Sequence, residues 1–298
     1  MKTMNSNRDN ATVDQHFIPK MYLNGFAEVK SKDIANTWQF DVKTFQYIPN
    51  RPTRTDEICK KRNLYELRND DGGYIARNVI EEAFGRIETK AGVVFKSVIL
   101  RAQTETCMNC SSFLSEEEKS VLVIFITSLM YRNPETIEAG VKFLINENPE
   151  ISFSRASNFT RLNLLPLGID KSWDEKTIIR TALKNLEGMA FQVGVTEGDV
   201  FFTSDRPVIQ YPSYNDNFPY TPKAVIFPLT SRIVLYLYPK EDVSQTAQNC
   251  LFQLDQERIR AIQHNISVYA RRWIYSRKPL TEEQVFIIKA AREKMPDL

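Results

Sequence analysis

The spacing of apolar positions predicts two kinds of structure in the first half of the chain. Apolar and polar residues alternate over 38–42 and again over 45–48, which is typical of a short β-hairpin. A helix is predicted over about 75–101, where the apolar residues form one stripe at helical spacing: Ile80, Phe84, Ile87, Ala91, Phe95 and Val98. A second helix, over 115–132, is indicated by the Ser-Glu-Glu-Glu capping box at its start.

The second half of the chain mixes helices and strands. Residues 146–173 are rich in Asn, Ser and Pro, which predicts a long connection or a loop insertion of low order. Helices are expected over 176–186, about 255–275 and 282–294. Strand-like apolar runs occupy 190–195, 200–203, 225–229 and 233–238. These elements favour an α+β fold, with a helical centre packed against a small antiparallel sheet from the N-terminal hairpin and the C-terminal strands.

Length and charge exclude several classes of protein. At 298 residues the chain is long enough for one large domain or two smaller ones, preceded by a flexible polar tail over 1–13. Lys and Arg number 39 against 37 Asp and Glu, so a net charge of +2 provides no global field for nucleic acid or anionic membrane. The tail lacks the apolar run of a signal peptide, and the longest apolar run, 121–126, is too short to span a bilayer. We therefore expect a cytoplasmic protein without a membrane partner.

Two of the four cysteines have a suggestive spacing. Cys107 and Cys110 are separated by two residues, as in a zinc knuckle or a redox pair. A structural zinc requires two further ligands, and the remaining cysteines and the two histidines are not paired in the sequence. A polar loop with incidental thiols is the simpler interpretation, with bound zinc or a regulatory disulfide as alternatives.

Several polar residues stand beside apolar segments and are candidates for a site. His16, one of only two histidines, precedes the apolar and aromatic block 17–26 and has the chemistry of a base or metal ligand. Glu81 and Glu88 share one edge of the apolar helical stripe, as a metal-ligand or acid–base pair or as salt-bridged surface groups. Arg132 ends a helix that is apolar almost all round, so it is expected to bind an anion or to pair with Glu81 or Glu88.

Asp205 completes the candidate set. An apolar strand that ends in Thr203-Ser204-Asp205 and stops at Pro207 brings a carboxylate to a sheet edge, as a catalytic acid, a metal ligand or a structural Asx turn. Ser204 is not in a G-x-S-x-G motif, and the chain has no P-loop, G-x-G-x-x-G or H-E-x-x-H motif. Serine hydrolases, common nucleotide-binding enzymes and zinc proteases are therefore disfavoured.

The last long helix offers a second kind of site. His264, Arg271 and Tyr275 align on one predicted face and are flanked by Arg272. Basic and aromatic side chains on one face could follow a phosphate backbone, although a solvated helix face has the same composition.

Several short segments follow one another in a fixed order along the chain: His16-x-x-Pro-x-x-Tyr-Leu-x-x-Phe26, Asn63-Leu-Tyr65, Ile80-Glu81, Ile87-Glu88, Phe125 through Arg132-Asn-Pro134, Phe202 through Val208, Phe227-Pro-Leu229 and Ala270 through Ser276. This ordered set resembles a prokaryotic domain-of-unknown-function family, number 4238, over about residues 14–278. The resemblance implies a single domain over 14–298 in which His16, Glu81, Glu88, Arg132 and Asp205 match the recurrent polar positions of the family.

Two hypotheses follow, from different classes of function, and the residue types favour the first, with the second as its alternative. In a metal-assisted phosphodiesterase or nuclease, Glu81, Glu88 and Asp205 would hold Mg²⁺ or Mn²⁺, with His16 as base or ligand and Arg132 against the phosphate. Its partner would be a nucleic acid or a nucleotide. In a non-catalytic scaffold or interaction protein, the same residues would form a buried polar network, and Arg132 would pair with Glu88.

Overall fold

The computed structural model describes residues 13–31, 34–104, 112–165, 178–211 and 223–293. Its helices in chain order are α1 Lys20–Leu23, α2 Val79–Thr104, α3 Glu116–Tyr131, α4 Pro134–Glu147, α5 Phe153–Leu162, α6 Ile178–Glu187, α7 Gln256–Tyr269 and α8 Glu282–Glu293. Its strands are β1 Asp14–His16, β2 Glu28–Ser31, β3 Ile34–Asp41, β4 Gln46–Tyr47, β5 Thr53–Arg54, β6 Lys60–Arg62, β7 Leu67–Arg68, β8 Tyr74–Ala76, β9 Ala190–Val195, β10 Thr203–Ser204, β11 Ile209–Tyr211, β12 Ala224–Pro228, β13 Ile233–Tyr238, β14 Asn249–Gln253 and β15 Trp273–Ser276.

The expected α+β class is confirmed, and one sheet joins the two ends of the chain. The predicted hairpin is present, since β3 and β4 pair with Phe40 opposite Tyr47. In this six-stranded sheet the order is β10-β15-β3-β2, and β4 and β5 also pair with β3. Strands from the C-terminal half thus complete a sheet that begins with the N-terminal hairpin.

Most strands of the C-terminal half form a second, separate sheet, where the sequence predicts a single small antiparallel sheet. Its five strands follow the order β11-β12-β13-β9-β14, and β14 runs parallel to β9 while the other pairs are antiparallel. β12 is buried throughout, and β9 and β13 are buried at almost every position. A strand buried on both faces has no polar alternation, so its partners cannot be assigned from its own pattern.

The central helices form as their patterns predict. The whole predicted stripe of α2 is buried, from Ile80 to Val98. At the start of α3, the Ser115 hydroxyl accepts from the Glu118 amide, and the Glu118 carboxylate accepts from the Ser115 amide, as a capping box requires. Phe125 of α3 packs edge-on against Phe95 of α2, so the two helices share the core.

Residues 146–173 are more ordered than their composition suggests. They contain α5, whose first turn is capped because the Ser152 hydroxyl accepts from the Arg155 amide. Ala156 and Ser157 form its buried side against the neighbouring structure. A composition rich in Asn and Ser therefore concealed an amphipathic helix with a serine N-cap. Residues 166–173 lie outside the described residues.

The bounds of two further elements differ from the prediction. The helix expected over 255–275 ends at Tyr269, and the chain turns into β15. Of the strand expected over 200–203, only Thr203 lies in β10. Residues 1–12 of the tail predicted over 1–13, and the pair Cys107 and Cys110, lie outside the described part of the chain. Among the helices that the structure describes, none combines the length and apolar character needed to cross a membrane.

Candidate functional site

His16 lies at the end of β1, which pairs with β6 so that His16 faces Lys60 across the ladder. Burial lowers the pKa of its half-buried imidazole, while the Glu88 carboxylate and a hydrogen bond to the backbone of Asp56 act in the opposite direction. Within the described residues, the buried Nε2 atom has no hydrogen-bond partner. The ring is therefore held as a neutral group with one nitrogen unused.

Arg132 is fully buried at the C-terminal end of α3. Its Nε donates to the Phe17 carbonyl at 2.7 Å, its Nη2 to the His16 carbonyl at 3.2 Å, and its Nη1 to Glu88 Oε1 at 2.9 Å. The guanidinium carbon also lies 4.8 Å from the centre of the Phe84 ring. Each side of the guanidinium thus meets protein, and the expected pairing with a helix glutamate falls on Glu88.

Glu81 stands on α2 seven residues before Glu88 and is half-buried. Burial raises its pKa from 4.5 to about 7, with Glu88 and Glu66 acting in the same direction and Arg132 opposing them. The structure therefore brings Glu81, Glu88, Arg132 and His16 into one electrostatically coupled group, which we call the His16 cluster.

Asp205 has its oxygens occupied by backbone. Its Oδ1 accepts from the Arg271 amide at 2.9 Å, and its Oδ2 accepts from the amides of Arg272 and Trp273 at 2.9 and 3.1 Å. Burial raises the pKa of this carboxyl, and the three backbone N–H groups partly offset that effect. Asp205 therefore fixes the turn between α7 and β15 through amides 66 to 68 residues further along the chain, which is a long-range contact and not the local Asx turn considered for it.

The proposed metal ligands are not assembled. No group of three or more His, Cys, Asp or Glu side chains in the described residues is arranged to hold a metal ion. The set of Glu81, Glu88 and Asp205 is thus not brought together, and three amide donors already surround Asp205.

Two polar residues beside the cluster, Gln15 and Glu66, are not among the candidates that the sequence indicates. Gln15 is fully buried, and its side chain donates to Glu66 Oε1 and accepts from the Tyr65 amide, both at 2.7 Å. Tyr65 in turn donates from its hydroxyl to the Arg132 carbonyl at 3.1 Å. Nothing in the local sequence distinguishes Gln15 or Glu66 from ordinary surface residues.

The predicted basic face on the last long helix does not exist. His264 lies on α7, but Arg271, Arg272 and Tyr275 follow its end. Arg271 forms an ion pair with Glu135, and Arg272 Nε lies 3.0 Å from Asp41 Oδ2. Tyr275 is buried in β15, where its hydroxyl accepts from the Cys59 thiol at 3.1 Å. The helix ends at Tyr269 because the Asp205 carboxylate accepts from the amides of residues 271–273 and turns the chain into β15.

Surface cavities lie elsewhere on the molecule. One of about 430 Å³ is lined by Trp38, Asp199, Arg232, Arg277 and Lys278 among others, and a second of about 260 Å³ adjoins it. A third of about 590 Å³ lies beside α5. None of the three is lined by a member of the His16 cluster or by Asp205.

Comparison with known proteins identifies the family of the chain. The family model described as "Protein of unknown function (DUF4238)" matches residues 14–279. No curated protein and no solved structure matches the chain.

Proposed function

The chain belongs to the DUF4238 family, whose description assigns no activity, and from its geometry we propose a non-catalytic scaffold or interaction protein. In this proposal the His16 cluster is a polar network around the buried Arg132 that fastens β1 to α2 and α3. The observation that carries it is the complete burial of Arg132, whose guanidinium reaches two backbone carbonyls and one carboxylate of its own chain.

The physical argument concerns where the donors of Arg132 point. An arginine that stabilises a phosphate must direct N–H groups into a space that the substrate can enter. Arg132 has no exposed surface and instead bridges chain segments that are 44 and 116 residues away in sequence. Contacts between such distant segments hold tertiary structure together, and breaking a buried ion pair is costly.

Metal-assisted phosphodiesterase or nuclease activity is the second candidate, and two observations favour it. Glu81 has a pKa of about 7, the range in which a carboxyl group transfers protons at neutral pH, and His16 Nε2 has no hydrogen-bond partner among the described residues. In that case Glu81 and Glu88 would bind Mg²⁺ or Mn²⁺ and His16 would act as the base. Asp205 would need to release its backbone amides before it could contribute.

One assay separates the two candidates. The purified protein is incubated with Mn²⁺ or Mg²⁺ and with single-stranded DNA, duplex DNA, RNA or bis-p-nitrophenyl phosphate. Wild type is compared with His16→Ala, with thermal unfolding measured on both. The scaffold proposal predicts no metal-dependent cleavage above a protein-free blank. Cleavage that His16→Ala abolishes without changing the melting temperature would instead establish the hydrolase.

A further inference from the structure

A cleft lies where the two sheets meet, away from the His16 cluster. Trp38 comes from β3 of the first sheet, and Arg277 and Lys278 follow β15 of the same sheet. Asp199 and Arg232 come from connections of the second sheet, after β9 and just before β13. The cleft measures about 430 Å³, within the range of about 300–1,000 Å³ that small-molecule sites occupy.

One carboxylate organises the basic wall of this cleft. Asp199 Oδ1 accepts from Arg232 Nε at 2.8 Å, from Arg277 Nη1 at 3.2 Å and from the Ser231 hydroxyl at 2.7 Å. Burial alone would raise the pKa of Asp199, but these donors lower it to about 2, so it remains charged. Both guanidinium groups stay partly exposed, at 42% and 38%, and most of their N–H donors are not used by Asp199.

Two further lining groups remain available. Lys278 is exposed and Trp38 is half-buried, and within the described residues neither side chain makes an ion pair or hydrogen bond. The Trp38 and Tyr47 rings meet in a T-shaped arrangement with their centroids 5.3 Å apart, which holds the indole beside the basic wall. The cleft therefore presents three cations and one aromatic surface, with Glu28 as a single carboxylate on its exposed rim.

We propose that this cleft binds a nucleoside monophosphate. Arg232, Arg277 and Lys278 would hold the phosphate, since guanidinium groups match its oxygens in fork geometry. The base would stack on Trp38, as bases do on aromatic side chains. Glu28 would accept hydrogen bonds from the ribose hydroxyls and repel a second anionic group at that end.

The charge balance favours a free nucleotide over a nucleic acid. Three cations against Asp199 and Glu28 leave the cleft with one net positive charge, and the chain carries only +2 in total. Nucleic acids are bound by several phosphate contacts along an extended basic surface, which these numbers do not supply. The cleft shares no lining residue with the His16 cluster, so this proposal does not depend on the proposed function.

Isothermal titration calorimetry on the full chain tests the proposal. The four nucleoside monophosphates are titrated separately, with adenosine, inorganic phosphate and a short single-stranded DNA as further arms. We expect at least one monophosphate to bind more tightly than adenosine or phosphate. Lys278→Met should weaken that binding about tenfold, the usual worth of one charged hydrogen bond. Lys96→Met, which alters an exposed lysine of α2, is the matched control and should leave binding unchanged.

Three results would overturn the proposal. The first is that none of the four monophosphates binds, or that DNA binds and they do not. The second is that inorganic phosphate binds as well as the nucleotides, because Trp38 would then have no role. The third is that Lys278→Met and Lys96→Met bind equally well while both retain the wild-type melting temperature, because the ligand would then occupy another site.

Discussion

Arg132 Nη1 donates to Glu88 Oε1 at 2.9 Å, although the Arg132 side chain has no exposed surface and that of Glu88 is 28% exposed. The pair joins the end of α3 to the middle of α2, and the same guanidinium holds the carbonyls of residues 16 and 17. Glu88 therefore keeps part of its hydration while it neutralises a fully desolvated charge. That combination reduces the cost that usually accompanies a buried ion pair.

Asp205→Asn should destabilise the protein by about 1–3 kcal/mol, because an amide group would place N–H donors against backbone donors. The carboxylate now accepts three backbone amides over 271–273, and only one side-chain oxygen would remain to accept. Urea unfolding measures the change. Asp242→Asn, at an exposed site, is the control and should stay within about 0.5 kcal/mol of wild type. Equal stability of the two variants would remove the structural role assigned to Asp205.

Tyr22→Phe should cost about 1–2 kcal/mol of unfolding free energy. The Tyr22 hydroxyl is fully buried and makes 2.8 Å hydrogen bonds to Thr203 Oγ1 and to the Pro228 carbonyl, which belong to the two different sheets. Loss of the hydroxyl removes one buried hydrogen bond from the Thr203 side chain and one from the Pro228 carbonyl. Tyr74→Phe removes a hydroxyl from an exposed ring and is expected to have a smaller effect. A Tyr22→Phe variant as stable as Tyr74→Phe would contradict this prediction.

Glu81 should make the fold less stable as the pH rises. Its pKa is 4.5 when unperturbed and about 7 in the folded state, so the folded protein binds more protons between these values. The stabilising contribution of the protonated carboxyl is complete below about pH 4.5 and is lost as pH rises through about 7. Glu81→Gln mimics the protonated carboxyl and should exceed wild type in stability at pH 8. Unfolding curves at pH 5 and pH 8 check this.

His16 has the opposite dependence and must be separated from Glu81. Its folded pKa lies below 6.5, so the unfolded chain binds more protons and stability falls as pH decreases below 6.5. His16→Gln should therefore reduce the loss of stability on acidification relative to wild type. The prediction fails if the two proteins lose stability in parallel between pH 7 and pH 5.

Elements whose signals are local could be predicted from the sequence. The α2 stripe, the Ser115 capping box and the β3–β4 hairpin each depend on residues within one helix, one helix cap or one pair of adjacent strands. The end of α7 could not be predicted, because the groups that bend the chain there belong to Asp205, 66 residues before Arg271. The separate second sheet is likewise a matter of long-range pairing among strands with no polar alternation.

For the site, the sequence identified polar residues but not their relations. The sequence leaves open whether Arg132 binds an anion or pairs with Glu81 or Glu88, and the structure pairs it with Glu88. Asp205, Glu81 and Glu88 are all carboxylates, which makes them candidate ligands of one metal ion, but the sequence carries no information on the distances between them. The Asp199–Arg232–Arg277 arrangement was not identified because its members lie on three connections with no shared motif.

The unfolding free energy of Arg132→Met tests the central claim most directly, namely that the His16 cluster is structural. We predict a loss of about 3–5 kcal/mol, as for removal of one partner from a buried pair. Glu88→Gln, which leaves the guanidinium partly hydrogen-bonded, should lose about 1–3 kcal/mol and keeps the test informative if Arg132→Met fails to fold. Arg86→Met on the exposed side of α2 is the control. Unchanged or increased stability in Arg132→Met and Glu88→Gln, as expected when catalytic groups are removed from a strained site, would contradict the claim.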